Sequence, residues 1–108
     1  MTQASKLCLR YEFDAGSGVC LWAANAEAEV RYGLAVEVAA LPLSTKLCEQ
    51  LHHLIAWYDS ALDWDNPGGA SPWSAEERQR FLAAARQGLL ALRRELPAEF
   101  EVTDALSA

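Results

Sequence analysis

Residues 7–23, LCLRYEFDAGSGVCLWA, contain two apolar stretches joined by a glycine-rich turn. Apolar and polar side chains alternate along the first stretch, which is typical of a strand with one face in the core. The DAGSG turn at 14–18 supplies two glycines, which adopt positive φ angles without strain, and the second apolar stretch then returns. With this turn, Phe13 lies opposite Val19. The sequence therefore predicts an antiparallel hairpin at the start of the fold.

Helical spacing dominates the chain after this hairpin. Ser44 precedes apolar residues at intervals of three and four, which predicts a helix from about 45 to 62. The sequence SAEE at 74–77 has the pattern of a capping box and opens a second long helix, which Pro97 ends. Gly88 falls in the middle of that helix, where glycine is unfavourable, so we expect the two long helices to approach each other closely there.

The remaining elements complete a small α+β domain. Asn25 is a suitable cap for a short helix over 26–32, and Gly33 suits its C-terminal end. The predicted strands lie near 7–13, 19–24, 34–38 and 99–103, and the predicted long helices lie near 45–62 and 74–96. We expect one domain over residues 1–108, in which a small antiparallel or mixed sheet of about four strands packs under the two long helices in two layers.

The net charge of −6 argues against several classes of partner. An acidic domain repels phosphate backbones and anionic membranes, so we expect no nucleic-acid partner and no membrane partner. The first residues lack the apolar core of a secretory signal, and no apolar run is long enough to span a bilayer. Arginine outnumbers lysine, as is usual in GC-rich bacterial genomes. The sequence therefore predicts a cytoplasmic bacterial protein.

The three cysteines agree with a reducing compartment. An odd number of cysteines in a chain without an export signal favours free thiols. In the predicted hairpin, Cys20 lies opposite Glu12, which places it about 13 Å from Cys8 along the ladder and too far away for a disulfide.

Segment 57–73, WYDSALDWDNPGGASPW, lies between the two long helices, and we call it the acidic aromatic segment. It contains three of the four tryptophans and three carboxylates, and it has no basic residue. Aromatic rings supply contact area and carboxylates supply charge complementarity, so this composition favours a surface that binds a basic partner. The residues expected to bind that partner are Trp57, Asp59, Asp63, Trp64, Asp65 and Trp73.

A second interpretation gives the same aromatic residues a structural role. Tyr58 falls on the buried stripe of its helix, and Trp64 and Trp73 would cover the open end of the two-helix layer. Asp59 and Asp63 favour the functional interpretation, because on one helical turn they would repel each other at the negative end of the helix dipole. Unfavourable local charges of this kind tend to mark functional sites.

Cys48, His52 and His53 form an alternative candidate site. Cys48 and His52 are four residues apart, as are Glu49 and His53, so each pair lies on one face of a helix and could begin a metal site. Cys48 with His52 could also form a nucleophile–base pair. The sequence contains no second ligand pair at a recognisable spacing and no catalytic motif, so we expect no metal and no cofactor. In that case the histidines flank the helix and Cys48 is half buried.

Together these features predict a non-catalytic cytosolic protein-binding module. A small acidic bacterial domain suits the role of an inhibitor or immunity-type protein that blocks a partner with a basic surface. Two alternatives remain. One is a small metal- or ligand-binding domain or enzyme that uses Cys48, His52 and His53. The other is an obligate subunit in which the aromatic side chains of segment 57–73 form a homo-oligomer contact.

Overall fold

The computed structural model describes residues 6–106, which form a four-stranded mixed sheet and three α-helices. The strands are β1 (Leu7–Tyr11), β2 (Leu21–Ala23), β3 (Ala35–Val36) and β4 (Phe100–Asp104). The helices are α1 (Ala26–Tyr32), α2 (Thr45–Asp59) and α3 (Ala75–Glu95), with one 3₁₀ turn at Val38–Ala40. The chain therefore has the α+β fold predicted from the sequence.

The hairpin forms the centre of the sheet, whose strand order is β3-β2-β1-β4. β1 pairs with β2 in the antiparallel direction, and Tyr11 is the partner of Leu21. The Glu12 amide donates to the Cys20 carbonyl at 3.0 Å, which continues the ladder in the register predicted from the turn. β4 pairs with the other edge of β1 in the parallel direction. The sheet is therefore mixed, with the last strand beside the first.

Helices α2 and α3 pack together on one face of the sheet. Tyr11 is fully buried, and its hydroxyl reaches α3, where it donates to the Ala85 carbonyl at 2.9 Å. Burial raises the pKa of Tyr11, so the hydroxyl keeps the proton that it donates. A Cβ atom on Gly88 would lie 2.8 Å from the Tyr11 hydroxyl and 3.2 Å from a methyl group of Leu54 in α2. Glycine is needed at this position because β1, α2 and α3 meet there, which confirms the predicted close approach.

Both long helices begin at the capping residues expected from the sequence. The Ser44 hydroxyl accepts from the Leu47 amide at 3.1 Å, and the Ser74 hydroxyl accepts from the Glu77 amide at 3.0 Å. The Glu77 carboxylate departs from the predicted capping box and faces α2 instead. Glu95 adds a second cap to α2, because its carboxylate accepts from the Ser44 amide at 2.6 Å and from the Ser44 hydroxyl at 2.8 Å. The end of α3 is thereby joined to the start of α2.

β3 is shorter than the strand predicted at 34–38. Ala35–Val36 pair with β2, after which the Glu37 carbonyl accepts from the Ala40 amide at 3.0 Å and the 3₁₀ turn begins. Val38 nevertheless remains buried. Val36 and Val38 are therefore both buried, although only Val36 belongs to the strand.

Helix α2 ends at Asp59, earlier than the predicted end near residue 62. The Ser60 amide bonds to the Trp57 carbonyl at 3.0 Å, three residues back, so the last turn is tighter than an α-helix and the helix stops. The prediction that Asp59 and Asp63 share a helical turn is therefore wrong, and the charge argument that depended on that turn does not hold.

Candidate partner-binding surface

Five aromatic side chains cluster where the hairpin turn, the end of α2 and the start of α3 meet. The buried ring of Phe81 lies at the centre of this cluster. The other four ring centroids lie 5.0 to 5.3 Å from that of Phe81, and they belong to Phe13, Trp57, Tyr58 and Trp73. Trp57 and Trp73 therefore close this end of the core. The second interpretation gave this role to Trp73 and Trp64, and the structure places Trp73 there with Trp57 instead of Trp64.

Hydrogen bonds fix the orientation of both tryptophans in the cluster. Trp57 Nε1 donates to the Glu77 carboxylate at 2.8 Å, and Trp73 Nε1 donates to the Ser60 hydroxyl at 2.8 Å. Each indole also keeps a partly exposed surface. The bond between Glu77 and Trp57 could not be predicted from the sequence, because the local capping pattern assigns the Glu77 carboxylate to Ser74.

Trp64 lies outside the cluster, on the hairpin turn, with 57% of its surface exposed. A Cβ atom on Gly16 would lie 3.1 Å from Trp64 Cη2, so the indole covers the backbone of this glycine, whose φ is +85°. Trp64 Nε1 donates to the Asp59 carbonyl at 3.0 Å, and the Asp59 carboxylate accepts from the Gly16 amide at 2.9 Å. The hairpin turn, the end of α2 and Trp64 are thus held together as one surface.

Four carboxylates surround this surface. Asp14 in the hairpin turn and Asp65 are exposed, while Asp59 and Asp63 are partly buried. The Asp63 carboxylate accepts from the Asp65 amide at 3.1 Å, which orders the chain on both sides of Trp64. The two ion pairs found among residues 6–106 involve other side chains, so no arginine or lysine of the described chain neutralises these four carboxylates. Asp14 was not predicted as a site residue.

A shallow groove crosses α2 beside this surface. It is lined by His53, Ala56, Trp57 and Ser60. The His53 and Trp57 rings are one helical turn apart, with centroids separated by 6.2 Å and planes inclined by 46°. The short side chains of Ala56 and Ser60 lie next to this aromatic pair, so part of the Trp57 indole is accessible from solvent.

The alternative site at Cys48, His52 and His53 does not assemble a set of metal ligands. Within residues 6–106, no group of three or more histidine, cysteine or acidic side chains is placed to hold a metal ion. Cys48 is half buried, and its thiol contacts the Val38 carbonyl at 3.7 Å. His52 and His53 are exposed on the flank of α2, and His53 lies against Trp57. The observed contacts of Cys48 therefore join α2 to the 3₁₀ turn.

The cysteines fall within the described residues and are all free thiols. Burial raises the pKa of Cys20 to about 12, so this thiol stays protonated in the core. No helix in the described part of the chain is long and apolar enough to cross a membrane.

Comparison with known proteins identifies the family. The family model described as Serratia CdiI immunity protein-like matches residues 7–104. This range includes all the strands and helices of the fold and the whole acidic aromatic segment. No curated protein matches the sequence significantly. The chain therefore belongs to the Serratia CdiI immunity protein-like family and is an immunity-type protein that binds a protein toxin.

Proposed function

We propose that this protein neutralises its toxin by covering a basic surface of the toxin with the exposed part of the acidic aromatic segment. Trp64 makes the central contact, and Asp63 and Asp65 supply the charge on either side of it. Asp14 extends the same surface from the hairpin turn. The other predicted contact residues support this surface: Asp59 holds the hairpin turn, and Trp57 and Trp73 close the core beneath.

The position of Trp64 is the observation that carries this proposal. Its indole is more than half exposed, yet a hydrogen bond to Asp59 and contact with Gly16 hold it in one orientation. A partner that covers such a side chain gains apolar contact area and loses little conformational entropy. An exposed aromatic residue held in this way is suited to anchor an interface.

The charge distribution supports a basic partner. Between residues 47 and 77 the chain has no lysine or arginine, and its six carboxylates are Glu49, Asp59, Asp63, Asp65, Glu76 and Glu77. A toxin that acts on an anionic substrate has a cationic cleft, which carboxylates could occupy in place of that substrate. Their field would also accelerate association with the toxin. We place this interaction in the cytoplasm, because free thiols suit a reducing compartment.

The test is capture of the toxin from a lysate of the source cells with three forms of the protein. The first is wild type, and the second is Trp64→Ala/Asp65→Asn. The third is a matched control, Leu90→Ala/Glu29→Gln, which removes one exposed apolar side chain and one carboxylate from other surfaces.

We expect wild type and the control to retain one basic protein that the second form loses. Expression of that protein alone should stop growth, and co-expression of wild type should restore it. If all three forms retain the toxin equally, the acidic aromatic segment is not the contact. If the captured toxin lacks a basic surface, the electrostatic part of the proposal is wrong.

A further inference from the structure

The groove on α2 leaves part of the Trp57 indole accessible next to a row of short side chains. We propose that this groove binds a guanidinium group and that its occupant in the complex is an arginine side chain of the toxin. The inference deepens the proposed function and rests on it for the identity of the partner. It adds a second, separate contact to the surface around Trp64.

The groove follows from the spacing of residues along α2. His53 and Trp57 are four residues apart and form a raised aromatic row. Ala56 and Ser60, also four apart, form a low row beside it. A flat group that lies over Ala56 therefore contacts the indole face of Trp57. A branched side chain in place of Ala56 would fill this space.

Trp57 is already fixed in the orientation that such contact requires. Its Nε1 donates to the Glu77 carboxylate at 2.8 Å. On its inner side, the ring contacts Phe81 edge to face, with centroids 5.3 Å apart and planes inclined by 83°. The Glu77 carboxylate also pairs with Arg80 at 3.3 Å, so its role here is to hold the indole in place and not to supply free charge. No rearrangement is needed before a guanidinium can stack there.

Other aromatic rings of this protein already carry arginine side chains. Arg78 lies over Trp73 with its guanidinium carbon 5.9 Å from the ring centroid, and Arg10 lies over Trp22 at the same distance. Among residues 6–106, no lysine or arginine lies over Trp57. The exposed part of Trp57 could therefore bind an arginine as Trp22 and Trp73 do, and no arginine of the described residues occupies it.

The surrounding charge selects a cation as the occupant. The groove lies inside the stretch 47–77, which has six carboxylates, two histidines and no lysine or arginine. Glu49 is exposed on α2 one turn before His53. Arginine fits better than lysine, because its planar guanidinium stacks on an indole and is less strongly hydrated than an ammonium group.

The probe for this site is acetyl-arginine amide, with acetyl-citrulline amide as its uncharged isostere. Each compound is titrated into ¹⁵N-labelled protein up to about 50 mM, because a single cation–π contact gives only weak affinity. The indole N–H resonances of Trp22, Trp57, Trp64 and Trp73 are followed together with the Ala56 amide. We expect saturable shifts at Trp57 and Ala56 with the arginine compound and none with the citrulline compound.

Two alanine-to-leucine variants distinguish the effect of filling the groove from the effect of adding a leucine elsewhere on the surface. Ala56→Leu fills the groove without a change in charge, and Ala83→Leu makes the same change at an exposed position on α3. We expect Ala56→Leu to weaken binding of acetyl-arginine amide about fivefold or more, and Ala83→Leu to leave it unchanged. Leucine is a good helix former, so both variants should fold.

The proposal is overturned if wild type shows no saturable shift, if citrulline produces the same shifts, or if Ala56→Leu binds as wild type does. These results are independent of the toxin capture by the Trp64 variant. Failure of the groove therefore leaves the Trp64 contact to its own test. If the Trp64 variant still captures the toxin, saturable binding of acetyl-arginine amide establishes the guanidinium site without identifying the toxin as its partner.

Discussion

Replacement of Gly88 by alanine tests the packing of α2, α3 and β1 most sharply. In an open helix this substitution stabilises by about 1 kcal/mol, because alanine is the better helix former. Here the new methyl group would lie 2.8 Å from the Tyr11 hydroxyl, 3.2 Å from Leu54 and 3.4 Å from Leu51. All three neighbours are buried, and the hydroxyl is held by its bond to Ala85, so the methyl group cannot be accommodated without displacement.

The magnitude follows from two opposing terms. Overpacking of a well-filled core costs about 1 to 3 kcal/mol, and the helix propensity of alanine returns about 1 kcal/mol. We therefore expect Gly88→Ala to lower the free energy of unfolding by about 1 kcal/mol. For a domain of this size, that change lowers Tm by roughly 4 °C.

A double-mutant cycle with Tyr11→Phe identifies the obstructing atom. Tyr11→Phe alone should cost about 1 kcal/mol, because it removes a buried hydrogen bond. In that background the closest obstacle is absent, so Gly88→Ala should be nearly neutral and the interaction energy should be about 1 kcal/mol. Urea unfolding followed by circular dichroism gives all four stabilities. Stabilisation of wild type by Gly88→Ala, or an equal effect in both backgrounds, would contradict this account of the packing.

Two further predictions concern the loops and caps. Glu95 has a lowered pKa, chiefly because its carboxylate accepts from the Ser44 amide; its stabilising effect is therefore present above its ordinary pKa of 4.5 and is lost as pH falls. Glu95→Gln should flatten the loss of stability below that pH, as measured by urea unfolding at several pH values, and an unchanged acid profile would contradict the capping role. Gly16→Ala should destabilise by more than Gly18→Ala, because both residues have positive φ, which costs about 1 to 2 kcal/mol for alanine, but only Gly16 is covered by Trp64. Equal losses in urea unfolding would show that the Trp64 contact adds nothing.

The hairpin could be predicted closely because its determinants are local. Alternation fixed which side chains of β1 face the core, and the turn glycines fixed the register that places Glu12 beside Cys20. The caps at Ser44 and Ser74 were predictable for the same reason, since a hydroxyl at the N-cap binds an amide only three residues away. The close approach at Gly88 was predictable because glycine destabilises a helix and is usually found there only where packing leaves no room for a side chain.

The candidate surface was less predictable because its contacts join residues far apart in the chain. Asp59 accepts from Gly16, and Glu77 accepts from Trp57. At the opposite ends of the same two helices, Glu95 accepts from Ser44. In each case an acidic side chain has a partner that local sequence rules do not identify. The end of α2 was also missed, because apolar spacing continues past the point at which helical hydrogen bonding stops.

The position of Asp14 in this surface could not be predicted either. Nothing in the hairpin sequence shows that its turn lies against the end of α2. The separate roles of the three tryptophans, two in the core cluster and one on the surface, likewise depend on tertiary contacts.

The central claim is that the acidic surface around Trp64 binds a basic toxin, and the rate of association tests it most directly. We would measure association of the captured toxin with wild type, with Asp63→Asn/Asp65→Asn, and with the control Glu29→Gln/Glu37→Gln, at low and high salt. The control changes the net charge equally but alters exposed positions in the other half of the chain.

We expect Asp63→Asn/Asp65→Asn to slow association at low salt by roughly three- to tenfold and to flatten its salt dependence, because local steering is lost. With about 0.1 M salt as the low-salt condition, the control should behave much as wild type does, since charges farther than about 10 Å from the contact are screened at that ionic strength. Equal rates for all three forms at low salt would contradict the claim.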